Sequence, residues 1–147
     1  MIGKLVQVCN EEHTIFVIEG VFMYLEPEAI TTTISTIQGL YPKHELYCDL
    51  MTKKFFTRFA QRVHSKLVAS GGTFSERPDT PEEIFIQHGY KKIESMPMFR
   101  RARELGILWD EVKIPKFVSW LMLNVFLKDL NGYAVHRFNF EKHRTFI

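Results

Sequence analysis

The feature that most constrains the fold is a continuous β-branched and aromatic run, Thr14-Ile15-Phe16-Val17-Ile18, which follows a polar segment at 10–13. Runs that are apolar on both faces are typical of a central strand in a sheet covered on both sides. The run ends at Glu19-Gly20. A carboxylate is costly to bury there without a partner, and the carboxyl ends of strands in open α/β sheets are where ligands bind. Gly20 would let a ligand or backbone approach closely.

Helix and strand signals alternate along the rest of the chain. Glu26-Pro27-Glu28 predicts a helix start, with the helix ending near Gly39. Further strands are expected at 45–51, 90–96 and 133–140, and helices over 55–67, 97–108 and 115–130, with a turn at Asn131-Gly132. The segment Thr80-Pro81-Glu82-Glu83 predicts a capping box that opens a short helix, and Gly89 is placed to end it. This order favours an α/β fold with right-handed parallel crossovers and a mixed sheet at one edge.

Composition narrows the class of protein. At 147 residues, with 46% hydrophobic and 24% charged residues, the chain fits one soluble globular domain and excludes intrinsic disorder. A net charge of +2 is too small to indicate a nucleic-acid or anionic-membrane partner. No signal peptide is visible, and the most apolar stretch, 117–127, is too short to cross a membrane. Cys9 and Cys48 lack zinc spacing, so buried free thiols in a reducing cytoplasm are favoured over a disulfide.

One motif resembles a known family. The stretch Glu19-Gly20-Val21-Phe22-Met23-Tyr24-Leu25-x-Pro27-Glu28-Ala29, together with the later pair Cys48-Asp49, is similar to the leucine carboxyl methyltransferase family. That family includes the polyketide O-methyltransferases of the tetracenomycin type. The segment 80–90 resembles their late helix and strand, and 133–140 fits their closing antiparallel strand. The resemblance covers about residues 5–96 and implies S-adenosylmethionine as cofactor on a Rossmann-like, class I fold.

Four residues lie at the predicted ligand edge, and the resemblance gives the first of them, Glu19, its role. Glu19 would contact S-adenosylmethionine, since a carboxylate suits a sulfonium and an ammonium; the alternative is a surface or capping carboxylate. Gly20 would bind the cofactor by close approach. Tyr24 is the catalytic candidate, lining the acceptor pocket or donating its hydroxyl; equally, it could be a half-buried aromatic packing on the next helix. Asp49 ends the second strand at the same edge, and we expect it to cap the following helix.

Other candidate residues favour structural interpretations. His13, His44, His64 and His143 are expected at the surface, and no histidine pairs with an acid at metal-ligand spacing, so no metal site is predicted. The cluster Arg100-Arg101-x-Arg103 resembles a phosphate contact but more often forms a solvated helix face. The apolar segment 117–127 is either core or an interface, and we favour an interface.

Family members begin with a half that carries a Gly-rich loop and a ribose-binding acid, and neither is found in this sequence. Gly71-Gly72 follows a predicted helix rather than a strand. We therefore expect a single partial domain over 1–147, the C-terminal half of a class I methyltransferase with a mixed sheet and a late antiparallel strand. The expected acceptor is a carboxylate or hydroxyl of a small molecule or peptide. The chain should pair with itself or with a complementary N-terminal half, and alone it should bind S-adenosylmethionine weakly or not at all.

Two alternatives belong to other classes of function. An inactive methyltransferase remnant could act as a protein-interaction module. A small nucleic-acid binder using Lys91-Lys92 and the arginine cluster is disfavoured, because no stacking-aromatic pattern accompanies those charges.

Overall fold

The computed structural model describes residues 14–60, 78–107, 115–121 and 128–142. The strands are β1 (Thr14–Ile18), β2 (Lys43–Met51), β3 (Lys91–Pro97) and β4 (Tyr133–Glu141). The helices are α1 (Pro27–Leu40), α2 (Lys53–Phe55, continuing as a π-helical turn over Phe56–Ala60), α3 (Glu83–Gln87), α4 (Met98–Glu104) and α5 (Lys116–Leu121). Short 3₁₀ turns occupy Phe22–Tyr24 and Lys128–Gly132. None of the helices in these segments is long and apolar enough to span a membrane.

The four strands form one mixed sheet in the order β1-β2-β4-β3. β1 runs parallel to β2, from Thr14 opposite His44 to Ile18 opposite Cys48. β4 is antiparallel to both of its neighbours, β2 and β3. The predicted α/β class, mixed sheet and late antiparallel strand are confirmed. The expectation that the mixing lies at one edge is wrong, because β4 pairs with β2 along its whole length and separates it from β3.

β1 is confirmed as a strand, and the described residues cover only one of its two apolar faces. Within the described segments it pairs with β2 alone, at the end of the sheet. Phe16 and Ile18 pack against the core, whereas Ile15 is 52% and Val17 73% exposed. A continuous apolar run shows that a strand can be buried on both faces; it does not supply the layer that would bury it.

The main core lies on one face of the sheet. Alternate residues of β2 and β4 point to this face and meet side chains from α1 and α3. Its members are Phe22, Ile34, Leu46, Cys48, Leu50, Phe85, Tyr90 and Phe138. The rings of Phe85 and Phe138 stack 4.8 Å apart. Cys48 is buried and free, as predicted, and burial raises the pKa of its thiol, which keeps it protonated. Cys9 lies outside the described residues.

A second, smaller cluster lies at the carboxyl ends of β1 and β2. Its buried members are Met23, Met51, Phe55 and Leu130, and the ring of Tyr133 packs against them. Phe55 and Tyr133 stack with their centroids 5.5 Å apart. This cluster anchors the turn after β1, the start of α2 and the start of β4 at the same edge of the sheet.

Helix ends follow the backbone chemistry of the sequence in most places. α1 begins at Pro27 as predicted. The capping box expected at Thr80 does not form, because the helix starts later, with Glu82 at the N-cap and no side-chain bond. Gly89 ends α3 as predicted, with φ +83°. There the Gly89 amide donates to the Ile86 carbonyl and the Tyr90 amide donates to the Phe85 carbonyl. This pair of hydrogen bonds is typical of a helix that ends in a left-handed residue.

Three predicted helices differ from the structure in length or include residues that the structure does not describe. α4 stops at Glu104, before a left-handed Gly106 with φ +75°, so the helix expected to reach 108 ends earlier. The predicted helix over 115–130 is seen as α5 and, after a gap, as the 3₁₀ turn that includes Asn131-Gly132. The continuation of the Phe55 stripe to 67 and the pair at 71–72 lie outside the described residues.

Candidate functional site

The carboxyl ends of β1 and β2 meet at one edge of the sheet, and β4 begins there. Glu19 and Gly20 follow β1 directly, and Asp49 lies near the end of β2. Because β4 is antiparallel, its first residue, Tyr133, comes to the same edge, opposite Met51. Three segments distant in sequence therefore place polar groups at the edge where open α/β sheets bind ligands.

Gly20 turns the chain after β1. Its φ of +64° lies in the left-handed region, which favours glycine. A Cβ built at Gly20 meets nothing within 4 Å, so backbone conformation and not crowding by described residues calls for glycine here. The Gly20 amide donates a hydrogen bond of 2.7 Å to Asp49 Oδ1. The expected role of Gly20 in cofactor contact stays a prediction.

Asp49 is the centre of this edge. It is 3% exposed, and its second oxygen, Oδ2, accepts a 2.7 Å hydrogen bond from the Tyr133 hydroxyl. The prediction that Asp49 caps the next helix is wrong. Thr52 is the N-cap of α2, and its hydroxyl accepts from the Phe55 amide at 3.2 Å. Thr52 stands directly before the helix, whereas Asp49 is still within β2 and finds partners from other segments.

Glu19 and Tyr24 lie at the same edge as the hydrogen-bonded pair of Asp49 and Tyr133. Glu19 is exposed and Tyr24 is 46% exposed, at the end of the 3₁₀ turn Phe22–Tyr24. Phe22 and Met23 are the buried residues of this turn, and both roles weighed for Tyr24 stay predictions. Burial and the Asp49 bond raise the pKa of Tyr133, and the charge of Glu19 and the phenol of Tyr24 add to this shift. Glu19 and Tyr24 therefore both lie within electrostatic reach of Tyr133.

An apolar cavity of about 70 Å³ lies beside the edge, between the 3₁₀ turn, the start of α1, the end of β2 and α3. It is lined largely by Phe22, Leu50 and Met51 and by three prolines, Pro27, Pro78 and Pro81. A lining of this composition suits an apolar group and offers nothing to a charged one.

The outer face of the sheet, opposite the main core, carries a polar group that the sequence analysis missed. Arg137 donates to both Glu45 oxygens, at 2.9 and 3.0 Å, and its guanidinium lies 5.7 Å from the centroid of the Tyr47 ring. The Glu45 carboxylate raises the pKa of Arg137. In the β2–β4 register Arg137 lies opposite Tyr47, so Glu45 is its diagonal neighbour on the same face. Only the register of the two strands shows that these residues are neighbours.

The histidine predictions are corrected at one position. His44 is fully buried rather than at the surface: its Nδ1 donates to the Tyr41 carbonyl at 2.7 Å, and its Nε2 lies 2.8 Å from the Tyr90 hydroxyl. Burial lowers the pKa of His44. His13, His64 and His143 lie outside the described residues.

Two other sequence clusters lie apart from the edge. Arg101 pairs with Glu104 at 3.1 Å on the exposed side of α4, as a solvated face would. Phe117 is 70% and Trp120 48% exposed on α5, and the interface expected there stays a prediction. Across the described segments, no group of three or more His, Cys, Asp or Glu side chains is placed to hold a metal ion.

Comparisons with known proteins bear on the fold of this chain. No family model and no curated protein matches the chain. Among solved structures, the chain is similar to a DUF574 family protein from Streptomyces avermitilis MA-4680, with a TM-score of 0.58 and 11% identity. The match covers 92% of this chain and 47% of that one, so the chain spans about half the length of that protein. At this identity the likeness shows the fold.

Proposed function

We propose that this chain is the C-terminal half of an S-adenosylmethionine-dependent O-methyltransferase and that Glu19 and Gly20 contact the cofactor. The observation that carries the proposal is the position of Glu19-Gly20 directly after β1, at the carboxyl edge of a half-sheet. The motif resemblance supplies the chemistry. The fold match to about half of a longer protein supports the reading as a partial domain.

The residues at this edge fit part of the proposed ligand. Among the described residues, none forms an ion pair with Glu19, and its exposed carboxylate is available to a cation. The methionine part of S-adenosylmethionine carries an ammonium and a sulfonium, which a carboxylate attracts. The space above Gly20 is open, so a ligand can approach its backbone. Asp49 is already bonded twice and leaves Glu19 as the carboxylate that faces outward.

When bound, the cofactor supplies an electrophilic methyl group, and the protein contributes mainly position. Tyr24 is the candidate that touches the acceptor, because it is partly exposed at this edge and, like Glu19, lies within electrostatic reach of Tyr133. A hydroxyl there can donate to an acceptor carboxylate or hydroxyl. The acceptor class that we propose is therefore a carboxylate or hydroxyl of a small molecule or peptide.

The experiment is a titration of the ¹⁵N-labelled chain with S-adenosylmethionine, followed by two-dimensional NMR. We expect weak binding, at about millimolar concentration, with the largest shifts at Gly20. Glu19→Gln should reduce the affinity more than Tyr24→Phe, because the first change removes a charge and the second one hydroxyl. Glu141→Gln is the matched control: it removes an exposed carboxylate, paired with Lys43 at 3.4 Å, from the opposite end of the sheet.

Two results would contradict this proposal. The first is the lack of any shift at the edge at millimolar S-adenosylmethionine. The second is an equal response of Glu19→Gln and Glu141→Gln, which would make Glu19 an ordinary surface carboxylate. Low-micromolar affinity would overturn the half-site argument in particular, because it needs about 7–8 kcal/mol from one half of a site.

A second candidate function, a non-catalytic interaction module, is favoured by one observation. Ile15 and Val17 on β1 and Phe117 and Trp120 on α5 are exposed apolar side chains. Such surfaces mark interaction sites. We propose as partners a second copy of the chain or a complementary N-terminal half, in the cytoplasm, where a free buried Cys48 is stable. Association without any response to S-adenosylmethionine would select this candidate.

A further inference from the structure

The turn that carries Glu19 is held by a hydrogen-bond chain through a buried carboxylate. Asp49 bonds the Gly20 amide with one oxygen and the Tyr133 hydroxyl with the other, both at 2.7 Å. The two partners are 29 and 84 residues away in sequence. Asp49 therefore joins the end of β1, the end of β2 and the start of β4 through one side chain.

Both bonds are of the strong kind. Hydrogen bonds to an ionised carboxylate are shorter and about twice as strong as neutral ones. Leaving a carboxylate at 3% exposure without partners would be very costly, so the two donors are also what makes its burial tolerable. Of the two donors, Gly20 is the residue that follows Glu19 in the chain. The hydrogen bond from the Gly20 amide to Asp49 therefore fixes the orientation of Glu19.

Tyr133 is fixed from two sides. Its ring stacks on Phe55 at 5.5 Å, within the second cluster, and its hydroxyl is committed to Asp49. Burial and the neighbouring carboxylate raise the pKa of this phenol, so it remains a donor throughout the physiological range. Asp49 Oδ2 cannot rotate away from Tyr133 without breaking this bond, and Oδ1 is thereby held toward Gly20.

We infer that Asp49 and Tyr133 are positioning residues, which hold the Glu19-Gly20 turn in the orientation that a ligand at this edge requires. The inference rests on the proposed function for the identity of that ligand. The sequence pattern does not assign this role to either residue: it predicts that Asp49 caps a helix and that Tyr133 begins a strand.

The test uses the 147-residue chain and the Gly20 amide as a spectroscopic reporter. Tyr133→Phe keeps the ring on Phe55 and removes only the hydroxyl. We expect the Gly20 amide resonance to move and its hydrogen exchange to become about three- to tenfold faster, and the melting temperature to fall because Asp49 Oδ2 loses its donor. Asp49→Asn removes the charge from the Gly20 bond and should move the resonance upfield.

Tyr90→Phe is the matched control. It also deletes a buried phenol hydroxyl, the one near His44, but at the other end of the sheet. It should lower the melting temperature and leave the Gly20 resonance unchanged. If Gly20 keeps its resonance and its exchange rate in both Tyr133→Phe and Asp49→Asn, the inference is overturned. If the Gly20 exchange rate in Tyr133→Phe rises only as much as the loss of global stability explains, as in Tyr90→Phe, the role of Tyr133 is merely structural and the inference also fails.

A second measurement, the affinity for S-adenosylmethionine, distinguishes a failure of this inference from a failure of the proposed function. S-adenosylmethionine is added to wild type and to Tyr133→Phe, and the expected result is about threefold weaker binding in the variant. If wild type shows no response to S-adenosylmethionine but Gly20 still responds to Tyr133→Phe, the proposed cofactor is wrong and the positioning geometry is upheld. If wild type binds and Tyr133→Phe binds equally well, the positioning role is refuted and the proposed function stands.

Discussion

The buried pair of His44 and Tyr90 allows a perturbation whose size follows from the structure. His44 Nδ1 donates to the Tyr41 carbonyl, so in the neutral ring Nε2 is an acceptor, and the Tyr90 hydroxyl 2.8 Å away is its donor. His44 is 0% and Tyr90 2% exposed, so water cannot replace that donor. Tyr90→Phe removes one oxygen and leaves Nε2 unsatisfied.

The cost comes from the hydrogen bond alone, because phenylalanine keeps the ring contacts. Tyr90 lies 5.2 Å from the Phe140 ring and 6.1 Å from the Phe85 ring, and neither contact involves the hydroxyl. Leaving a buried acceptor without a partner costs about 1–3 kcal/mol. We therefore expect Tyr90→Phe to lower the free energy of unfolding by about that amount, with no change in the denaturant slope.

The measurement is urea unfolding near neutral pH, followed by the fluorescence of the two tryptophans. Tyr47→Phe is the control, since the Tyr47 hydroxyl is on the outer face, 3.2 Å from Glu45, and its loss should change stability much less. In a His44→Leu background the Tyr90 hydroxyl has lost its acceptor, and Tyr90→Phe should then be neutral or stabilising. An equal loss of stability in both backgrounds would refute the proposed bond and the tautomer assigned to His44.

Three further predictions concern stability and association. Burial lowers the pKa of His44 and His136 below 6.5, so the unfolded chain takes up protons that the folded chain excludes. The free energy of unfolding should therefore fall on acidification below about pH 6.5, by at most about 1.4 kcal/mol per pH unit for each histidine. A urea midpoint that stays constant between about pH 7.5 and 5.5 would contradict this. At Gly132 a Cβ would collide with the N-cap side chain of α2, so Gly132→Ala should lower the melting temperature, whereas Gly39→Ala, with open space inside α1, should raise stability by about 0.5–1 kcal/mol. The chain should self-associate at micromolar concentration, and Val17→Lys should shift sedimentation toward monomer by placing a charge on the exposed face of β1; a wild-type monomer would oppose the interface assignment.

Local chemistry explains which parts of the fold the sequence could predict. β1 has the predicted bounds, because a short apolar run followed by an acid and a glycine leaves few other conformations. α1 begins where Pro27 allows a helix to begin, and Gly89 ends α3 because it can adopt a positive φ. In each case the determining residues lie within a few positions of the boundary.

The errors arise where the partner is distant in sequence. His44 was expected at the surface because its partner Tyr90 is 46 residues away, and β2 begins before the predicted boundary. Asp49 resembles a helix cap by position, but Gly20 and Tyr133 bind it instead. The one signal that could have identified Tyr133 is its place at the start of a strand expected to be antiparallel, which brings it to the carboxyl edge of the parallel strands.

The insertion of β4 between β2 and β3 has a consequence for how the sheet is assembled. β1 and β2 can pair as soon as 14–51 are synthesised, but β3 has no direct pairing with them and joins the sheet only through residues 133–141. Until that strand docks, the inner edge of β2 exposes unpaired amides and carbonyls over nine residues. Assembly of the sheet therefore ends with one step of high contact order, which makes folding slow.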